Sequence, residues 1–548
     1  CQEGCPIHQD ITRYLQLAGA GEFEKALEVI LNKNPLPFIT GTICAHNCMS
    51  KCTRNFYESP VDIRRTKLEA AEGGFDAVMA KLKAPAVTSD KKAAVVGGGP
   101  AGLAAAYFLA RGGVKVTLFE KEDKMGGVVR NVIPGFRISD SAIDNDVRLV
   151  AAMGVEMVNG REITDIEALK KDYDYVVLAV GASEQGRLKL EAGDTMNALD
   201  FLARFKATDG KVELGKNVVV IGGGNTAMDT ARAAKRNAGV EKVSLVYRRT
   251  RRYMPADEEE LVMAVEDGVE FAELLAPVKL EQGVLYCKRM VLGDLDDSGR
   301  RSVVETDQVV EVPADTVIAA VGEKVPGAFY ENCGIALDSR RRPQVNQETL
   351  ETSVKGVYVA GDGLYGPATV VEGIRDGKMA AEAIVGKALA EDLFRLSDAD
   401  AIYGRKGRLA EENDQIVDST RCLSCNSYCE NCVEVCPNRA NISLVVPGME
   451  KHQIIHVDYM CNECGNCKSF CPWDSAPYLD KFTLFANEAD MENSKNQGFT
   501  VLDAAAGACK VRLQGKVMDY TVGSENQDVP DGIRKIIKTV ISDYSYML

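Results

Sequence analysis

Cysteines form two dense groups in this chain, and their types and spacing could bind metal. Of 17 cysteines, five lie within residues 1–52 and nine within residues 422–471. A secreted disulfide scaffold would be short and rich in loops, whereas these cysteines flank long stretches of α/β pattern. Clustered thiols in such a chain indicate metal binding in a reducing compartment. We therefore expect a cytoplasmic protein, one from an anaerobic cell.

The second group contains the cysteine spacing of a bacterial ferredoxin. Four cysteines follow the pattern C-x2-C-x2-C-x3-C-P from Cys461 to Pro472. In this pattern the fourth cysteine binds the other cluster of a pair. A zinc site would favour two C-x-x-C knuckles held well apart. The spacing therefore predicts two [4Fe–4S] clusters.

The partner run has one cysteine more than two clusters need. It reads C-x2-C-x3-C-x2-C-x3-C-P from Cys422 to Pro437. The first predicted cluster takes Cys425, Cys429, Cys432 and Cys471. The second takes Cys436, Cys461, Cys464 and Cys467. Cys422 is then spare, or it replaces Cys425.

A glycine-rich turn near residue 97 predicts a dinucleotide site. Gly97, Gly99 and Gly102 form G-x-G-x-x-G between a strand and a helix, with Ala101 inside the motif. Such glycines allow a tight turn and a close backbone approach to a pyrophosphate, which the positive end of the helix then faces. Glu120 ends the next strand, where a carboxylate can accept hydrogen bonds from ribose hydroxyls.

A second turn repeats this pattern with a different charge beside it. It comprises Gly222, Gly224, Asn225, Thr226 and Ala227. The strand that follows ends in Arg248 and Arg249, where an NAD site has an acid. Because a guanidinium pairs bidentately with a phosphate, these arginines predict the 2′-phosphate of NADPH as the ligand. The alternative is a solvated basic patch shared with Arg251 and Arg252.

These patterns predict an α/β protein of several domains, as its 548 residues allow. Alternating strands and helices indicate two Rossmann-like, parallel-sheet domains. The predicted divisions are a helical [4Fe–4S] domain (1–90), a discontinuous FAD domain (91–205 and 330–390), an inserted NADPH domain (206–329), a linker (391–415), a ferredoxin-like 2[4Fe–4S] domain (416–482) and a C-terminal tail (483–548).

A third element resembles the second FAD-contact motif of the pyridine-nucleotide flavoprotein reductases. It reads GVYVAGD up to Asp362, followed by PATVV from residue 367. The resemblance implies that Asp362 contacts the ribityl and phosphate region of FAD, and that Ala368 and Thr369 lie near the flavin ring. KMGG, which ends at Gly127, resembles a motif of the glutamate synthase small subunit, as does IPGFR over residues 133–137.

The first cysteine group resembles the helical two-cluster domain of that subunit and of dihydropyrimidine dehydrogenase. The resemblance implies that Cys1 and Cys52 serve one cluster, and that Cys5, Cys44 and Cys48 serve the other. That family often has Gln or Glu as its last ligand, after Val-x-Ile. Here Lys67 follows Val-Asp-Ile instead, with Glu69 nearby, and an ammonium is a poor iron ligand. The same family has two further cysteines upstream, so we expect residues before Cys1.

The domain order as a whole resembles the glutamate-synthase-small-subunit-like oxidoreductases. The ferredoxin end is most similar to the selenate reductase iron–sulfur subunit family, which is associated with anaerobic purine degradation. The resemblance implies an electron-input module: NADPH reduces FAD, and the clusters carry single electrons to a partner site that reduces a purine-like or pyrimidine-like heterocycle. No catalytic side chain is predicted, since the flavin performs the hydride chemistry itself.

The net charge of the chain limits the kinds of partner that we expect. The net charge of −15 argues against binding nucleic acid or an anionic membrane surface. We expect a partner reductase subunit or an upstream domain, such as an FMN barrel, or else soluble ferredoxin. One alternative is a free-standing NADPH:ferredoxin oxidoreductase, including a bifurcating one. Another is a non-catalytic electron-wire subunit, against which the intact glycine turns argue.

Overall fold

The computed structural model describes most of the chain. The described residues are 1–56, 58–295, 301–389, 418–423, 429–449, 452–471, 473, 475–524 and 528–548. Cys425, a predicted cluster ligand, and all of the predicted linker lie outside them. In the part of the chain that is described, every helix is too short or too polar to span a bilayer.

The helices between residues 1 and 389 precede and surround two parallel sheets. They are α1 (Ile11–Gly19), α2 (Phe23–Leu31), α3 (Pro37–Ile43), α4 (Asn47–Ser50), α5 (Ile63–Lys81), α6 (Pro100–Arg111), α7 (Gly127–Asn131), α8 (Asp140–Ala152), α9 (Ile166–Asp172), α10 (Ala198–Ala207), α11 (Asn225–Arg236), α12 (Glu258–Glu266), α13 (Gly327–Asn332), α14 (Asp362–Tyr365) and α15 (Val370–Val385). Later helices are Asn431–Glu434, Asn466–Ser469, Pro477–Asp480, Glu488–Asn493 and Asp531–Asp543. Short 3-10 turns cover Thr53–Phe56, Arg251–Tyr253, Asp418–Arg421, Asp458–Met460 and Ser545–Met547.

The strands are mostly short and apolar. They are β1 (Lys92–Val96), β2 (Lys115–Phe119), β3 (Glu156–Val158), β4 (Tyr175–Leu178), β5 (Glu184–Gln185), β6 (Met196–Asn197), β7 (Asn217–Ile221), β8 (Lys242–Tyr247), β9 (Glu270–Glu273), β10 (Leu275–Glu281), β11 (Val284–Leu295), β12 (Arg301–Pro313), β13 (Thr316–Ala319), β14 (Glu323–Lys324), β15 (Val357–Val359), β16 (Asn441–Leu444), β17 (Gln453–Val457), β18 (Thr483–Phe485), β19 (Gly498–Asp503), β20 (Ala508–Leu513) and β21 (Lys516–Thr521).

The first parallel sheet has the order β15-β4-β1-β2-β3. Val96 at the end of β1 is in register with Phe119 of β2 and Leu178 of β4. The glycine turn after β1 and the acid after β2 therefore emerge at the same edge of the sheet, where α/β proteins bind ligands. β15 joins this sheet from far along the chain, which agrees with a discontinuous FAD domain.

The second parallel sheet has the order β6-β13-β7-β8-β9. Because β6 and α10 pack on this sheet through Ala198, Phe201 and Leu202, its fold begins near Met196, about ten residues before the predicted boundary. An antiparallel meander, β10-β11-β12, follows β9. The sequence analysis did not identify this meander.

The C-terminal sheet joins two regions that the sequence analysis separated. Its strands run in the order β16-β17-β18-β19-β20-β21, from the predicted ferredoxin-like region into the predicted tail. The helix Asp531–Asp543 covers this sheet with Ile536, Ile537 and Val540 in a shared core. Residues 483–548 are therefore largely folded, since their alternating apolar residues pack on the strands before them.

The helical domain and the FAD domain share one core. Residues of α1, α2 and α3 pack in the same cluster as α6 and the first sheet. The buried carboxylate of Asp146 in α8 accepts hydrogen bonds from the backbone N–H groups of Phe38 (3.0 Å) and Ile39 (2.7 Å). The Tyr107 hydroxyl in α6 donates to the carbonyl of Leu31 at 2.9 Å. Such buried polar contacts hold the two domains in a defined arrangement.

Candidate functional site: two nucleotide turns and two cysteine groups

The first glycine turn is tightly closed. Gly97 has φ +105°, and a Cβ on Gly102 would lie 1.8 Å from the Gly97 carbonyl oxygen, so no side chain fits there. Gly127 also lies close to this turn, since its Cβ would lie 2.9 Å from the Cα of Gly99. The structure therefore brings these predicted residues together at the start of α6, whose free N–H groups suit a pyrophosphate.

Glu120 orders the same turn. It is buried, and its two carboxylate oxygens accept from the backbone N–H groups of Gly98 (2.7 Å) and Glu122 (3.0 Å). A carboxylate has about four lone-pair sites. Glu120 can therefore order the turn and still make the predicted contact to ribose. The sequence analysis missed its role in ordering the turn.

The second FAD element lies against the first. Gly361 has φ +72°, and its Cβ would lie 2.6 Å from the Cβ of Ala101. Asp362 accepts from the Ala368 N–H at 3.1 Å, and burial raises the pKa of Asp362 to about 7. Thr369 begins α15 with a capping box to Glu372.

Asp376 is a residue of this site that sequence reasoning missed. It is buried in α15 and accepts from the Gly361 N–H at 3.3 Å. A polar residue within an otherwise apolar helix face was the available signal. It became interpretable only once α15 was seen to pack on the turn.

The second glycine turn is more open. The φ of Gly222 is +155°, and its Cβ would lie 2.5 Å from the Ala320 carbonyl oxygen, whereas Gly224 has open space around it. Asn225 donates to Asp257 at 3.3 Å and accepts from its N–H at 3.0 Å. Thr226 and Ala227 begin α11 behind this turn. The ring of Tyr247, which was not predicted, lies against Gly223.

The two predicted arginines have different surroundings. Arg248 is exposed. Arg249 is buried, and its Nε donates to the carbonyl of Arg301 in the meander at 2.9 Å. The meander, invisible in the sequence analysis, therefore gives Arg249 a structural partner, while Arg248 remains accessible to a ligand.

Three cysteines of the first group surround Tyr14 of α1. Burial, followed by the charges of Cys48, Cys5, Cys44 and Cys422, raises the pKa of Tyr14 well above its ordinary value. Tyr14 is fully buried, and its hydroxyl has no hydrogen-bond partner among the described residues. Leaving a buried donor without an acceptor costs about 1–3 kcal/mol. Soft thiolates around a neutral donor fit an iron–sulfur cluster, whose sulfur atoms can accept that hydrogen bond.

Cysteines of the second group line a cavity. The cavity wall includes Cys436, Cys461, Cys464 and Cys467, which are the four predicted ligands of the second cluster. Backbone N–H groups donate to two of these sulfurs, from Ala440 to Cys436 at 3.2 Å and from Glu463 to Cys461 at 3.3 Å. Hydrogen bonds to sulfur are one way in which proteins tune cluster potentials.

The remaining cysteines of the second group also lie near one another. Burial raises the pKa of Cys432 to about 11, and the charges of Cys429, Cys467 and Cys471 add to this effect. Burial also raises the pKa of Cys461, and the charge of Cys436 contributes. Cys432 thus has a cysteine of each predicted set near it, Cys471 and Cys467, and Cys461 has Cys436 near it. The ligand sets remain predictions.

The cysteines do not converge as the ligands of one ion would. In the described ranges, no three His, Cys, Asp or Glu side chains meet at a single metal position. A mononuclear zinc site draws its ligands to one point, within about 2.3 Å of the ion. A four-iron cluster instead binds each thiolate at a different iron.

Comparison with known proteins agrees with these sites. Residues 91–377 match the family model described as pyridine nucleotide-disulphide oxidoreductase. Residues 1–74 match the model described as dihydropyrimidine dehydrogenase domain II, 4Fe-4S cluster. The first match covers both parallel sheets, and the second covers most of the helical domain.

Curated relatives point the same way. The chain is 41% identical over 580 residues to a protein of Escherichia coli K12 named as the oxidoreductase YgfK, covering all of this chain and 55% of that protein. It is 33% identical over 419 residues to the glutamate synthase [NADPH] small chain of the same organism, covering 70% of this chain and 88% of that one. It is 34% identical over 428 residues to the beta subunit of the NADPH-Fe(3+) oxidoreductase of Geobacter sulfurreducens, covering 70% of this chain and 63% of that one.

The chain belongs to the pyridine nucleotide-disulphide oxidoreductase family, in the branch of the glutamate synthase small chain. The predicted resemblance, the α/β fold class and the assignment as an oxidoreductase are confirmed. The predicted cofactors, FAD, NADPH and [4Fe–4S] clusters, are those of this family. The chain spans about half the length of YgfK.

Proposed function

We propose that this chain oxidises NADPH and delivers single electrons, through its [4Fe–4S] clusters, to a reductase site outside the chain. One observation carries the proposal: the helical cluster domain and the FAD domain share a core. A bound FAD supplies the chemistry that converts hydride transfer into single-electron transfer. The protein supplies binding and position.

The helical domain also contacts the nicotinamide-binding domain. Glu259 of α12 pairs with His46 (3.1 Å) and Arg64 (3.1 Å), which flank the first cysteine group. Arg137 of the IPGFR motif pairs with Asp229 of α11 at 3.1 Å and also with Glu260 of α12. These ion pairs link the nucleotide domains and the cluster domain into one electron-transfer unit.

We assign recognition of the NADPH 2′-phosphate to Arg248, with Arg249 as support for the strand end. Arg248 is exposed beside the open turn, whereas Arg249 is buried against the meander. A charge-assisted hydrogen bond contributes about 1.5–3 kcal/mol. Arg248 would therefore discriminate NADPH from NADH by about 10- to 100-fold.

The relatives support the existence of a partner site. Several are named as one subunit of a complex, such as a beta subunit or a small chain. We propose that the partner site reduces a heterocyclic base of the purine or pyrimidine class, since the domain order resembles that of dihydropyrimidine dehydrogenase. The reduction would be part of anaerobic purine degradation.

The first experiment is anaerobic reduction of the purified protein, followed by absorption and EPR spectroscopy. NADPH should bleach the flavin rapidly and produce reduced-cluster signals, and NADH should act at least about tenfold more slowly. Arg248→Ala should raise the KM for NADPH by about 10- to 100-fold and leave the KM for NADH unchanged.

Arg340→Ala is the matched control, because Arg340 is also exposed but lies away from the turn. Failure of NADPH to bleach the flavin would overturn the direction of electron flow. An equal rise of both KM values in Arg248→Ala would overturn the assignment of the 2′-phosphate to this residue.

A second candidate function is direct exchange with a soluble ferredoxin. Cys464 of the second predicted cluster is exposed, and Phe470, which directly precedes Cys471 of the first, is 54% exposed. An exposed apolar residue next to a cluster edge suits a transient electron-transfer contact. Reduction of added ferredoxin by the chain alone, at the rate of flavin reduction, would favour this function over a dedicated partner subunit.

A further inference from the structure

Cys422 adjoins the ferredoxin cysteines in sequence but lies in the helical domain. It is 6% exposed and belongs to the same core as Cys5, Cys44, Cys48 and Tyr14. We propose that Cys422 is the fourth protein ligand of the N-terminal [4Fe–4S] cluster, together with Cys5, Cys44 and Cys48. The proposal rests on the presence of that cluster and does not depend on the direction of electron flow.

The segment before Cys422 is anchored on the helical domain by several backbone contacts. The Asp62 N–H donates to Asp418 at 2.6 Å. Arg54 Nε donates to the Arg421 carbonyl at 2.7 Å, and Gln16 Nε2 donates to the Cys422 carbonyl at 3.2 Å. Three separate parts of the helical domain therefore fix the path of this segment.

Arg421 adds a buried ionic anchor. It is 7% exposed, donates to Glu58 at 3.0 Å and to the Ser59 carbonyl at 2.6 Å, and also pairs with Asp418. A buried guanidinium is costly unless it is fully paired. The next residue, Cys422, is therefore held in one place in the chain's fold.

Tyr14 and Gln16 show where Cys422 lies. Both belong to α1; the Gln16 side chain donates to the Cys422 carbonyl at 3.2 Å, and Tyr14 lies in the same buried core as Cys422 and three cysteines of the first group. The Tyr14 hydroxyl is buried without a partner among the described residues. Four thiols and one donor thus share a core that a cluster would complete.

Neither residue at the position of the family's fourth ligand can serve here. Lys67 is 3% exposed, and its ammonium group has no lone pair to donate to iron. Glu69 pairs with Arg65 at 2.9 Å, and its side chain is 40% exposed. Cys422 therefore takes the coordination site that Lys67 leaves without a ligand.

Ligation by Cys422 is chemically simple. The thiol loses its proton to solvent as the Sγ–Fe bond forms, and no electron is exchanged. The bond also ties the two cluster domains together. Cys422 and Cys429 are seven positions apart, which spans at most about 25 Å, so the helical and ferredoxin-like clusters are neighbours.

The test compares three substitutions in the full-length protein, purified anaerobically: Cys422→Ala, Cys425→Ala and Cys509→Ala. Cys509 is buried in the C-terminal sheet, outside both groups, and serves as the control. The readouts are iron and FAD per chain, and the EPR signals of the oxidised and reduced clusters. None requires activity.

We expect Cys422→Ala to lose one to about four irons, with a three-iron signal in the oxidised protein. FAD content should be unchanged, and the signals lost in Cys425→Ala should remain. Cys422→Gly should regain the lost iron when a small thiol is added. If these variants fold poorly, Cys422→Ser is measured in their place.

Full iron content in Cys422→Ala and Cys422→Ser would overturn the proposal. So would loss of the same signals as in Cys425→Ala, because Cys422 would then belong to the ferredoxin-like pair. Loss of NADPH-driven flavin reduction with intact clusters would count against the proposed function only.

Discussion

The two cysteine groups would be completed in different ways. In the ferredoxin-like group, all predicted ligands lie within residues 425–471, and one cavity gathers the second set. In the helical group, Cys5, Cys44 and Cys48 come from one domain, and the proposed fourth ligand comes from more than 370 residues later. The ferredoxin-like group follows from spacing alone, and the helical group depends on docking of a distant segment.

Because of this difference, occupancy of the helical cluster depends on contact between two domains, whereas occupancy of the ferredoxin-like clusters does not. The ferredoxin-like clusters need only local chain closure, which costs little entropy for short loops. The helical cluster requires the segment before Cys422 to reach the helical domain and stay there. Its occupancy is therefore linked to the packing of Arg54 and Arg421.

The largest expected effect is the loss of one whole ferredoxin-like cluster, a different one in each of two variants. Cys471→Ala should remove the cluster of Cys429 and Cys432, and Cys436→Ala should remove the other, with up to about four irons lost in each. EPR of each variant, with Cys509→Ala as control, checks this exchange. Loss of the same signal in both variants would contradict the crossed ligands.

A second substitution should restore the helical cluster after Cys422 has been removed. Lys67→Glu in the Cys422→Ala background should regain most of the lost iron, because it restores an acidic ligand of the type found in the resembling family. Iron content and the three-iron EPR signal measure the effect. Arg65→Glu in the same background is the control, since Arg65 is exposed, and it should regain nothing.

Weakening the docked segment should loosen only the helical group. Arg421→Ala removes a buried guanidinium that pairs with Glu58 and Asp418, and it should cost about 3 kcal/mol. Arg54 remains as a cation beside Glu58. Hydrogen exchange of amides in residues 418–423 should accelerate by about 100-fold, and iron loss to a chelator should quicken. Arg340→Ala should change neither quantity. Unchanged exchange would show that the segment is held by other contacts.

The smallest expected effect is that of the buried Tyr14 hydroxyl on the redox potential of the helical cluster. Tyr14→Phe removes a donor that would stabilise the more negative, reduced cluster, so its potential should fall by about 40 mV, equivalent to about 1 kcal/mol. Redox titration followed by EPR measures the shift. Tyr330→Phe is the control, since Tyr330 is also buried but its hydroxyl donates to the Gly363 carbonyl at 2.9 Å. An equal shift in both would contradict a local effect of Tyr14.

Sequence reasoning performed best where chemistry needs adjacent residues. The turns at Gly97 and Gly222, the acid at Glu120 and the run from Cys461 to Cys471 all follow from short spacings. A tight turn before a helix tolerates few residue types, so its signature is local. The boundary near Met196 was missed because β6 has only two residues, too few for a periodic pattern.

The sequence by itself determined the family, the nucleotide turns and the ferredoxin spacing, because each depends on residues that are close together along the chain. Only the tertiary structure decided that Arg249 supports the meander, that the C-terminal region joins a six-stranded sheet, and that Cys422 lies in the same core as Tyr14. These facts depend on contacts between distant segments. Buried polar groups such as Arg421 and Asp146 fix those contacts, and no local spacing records them.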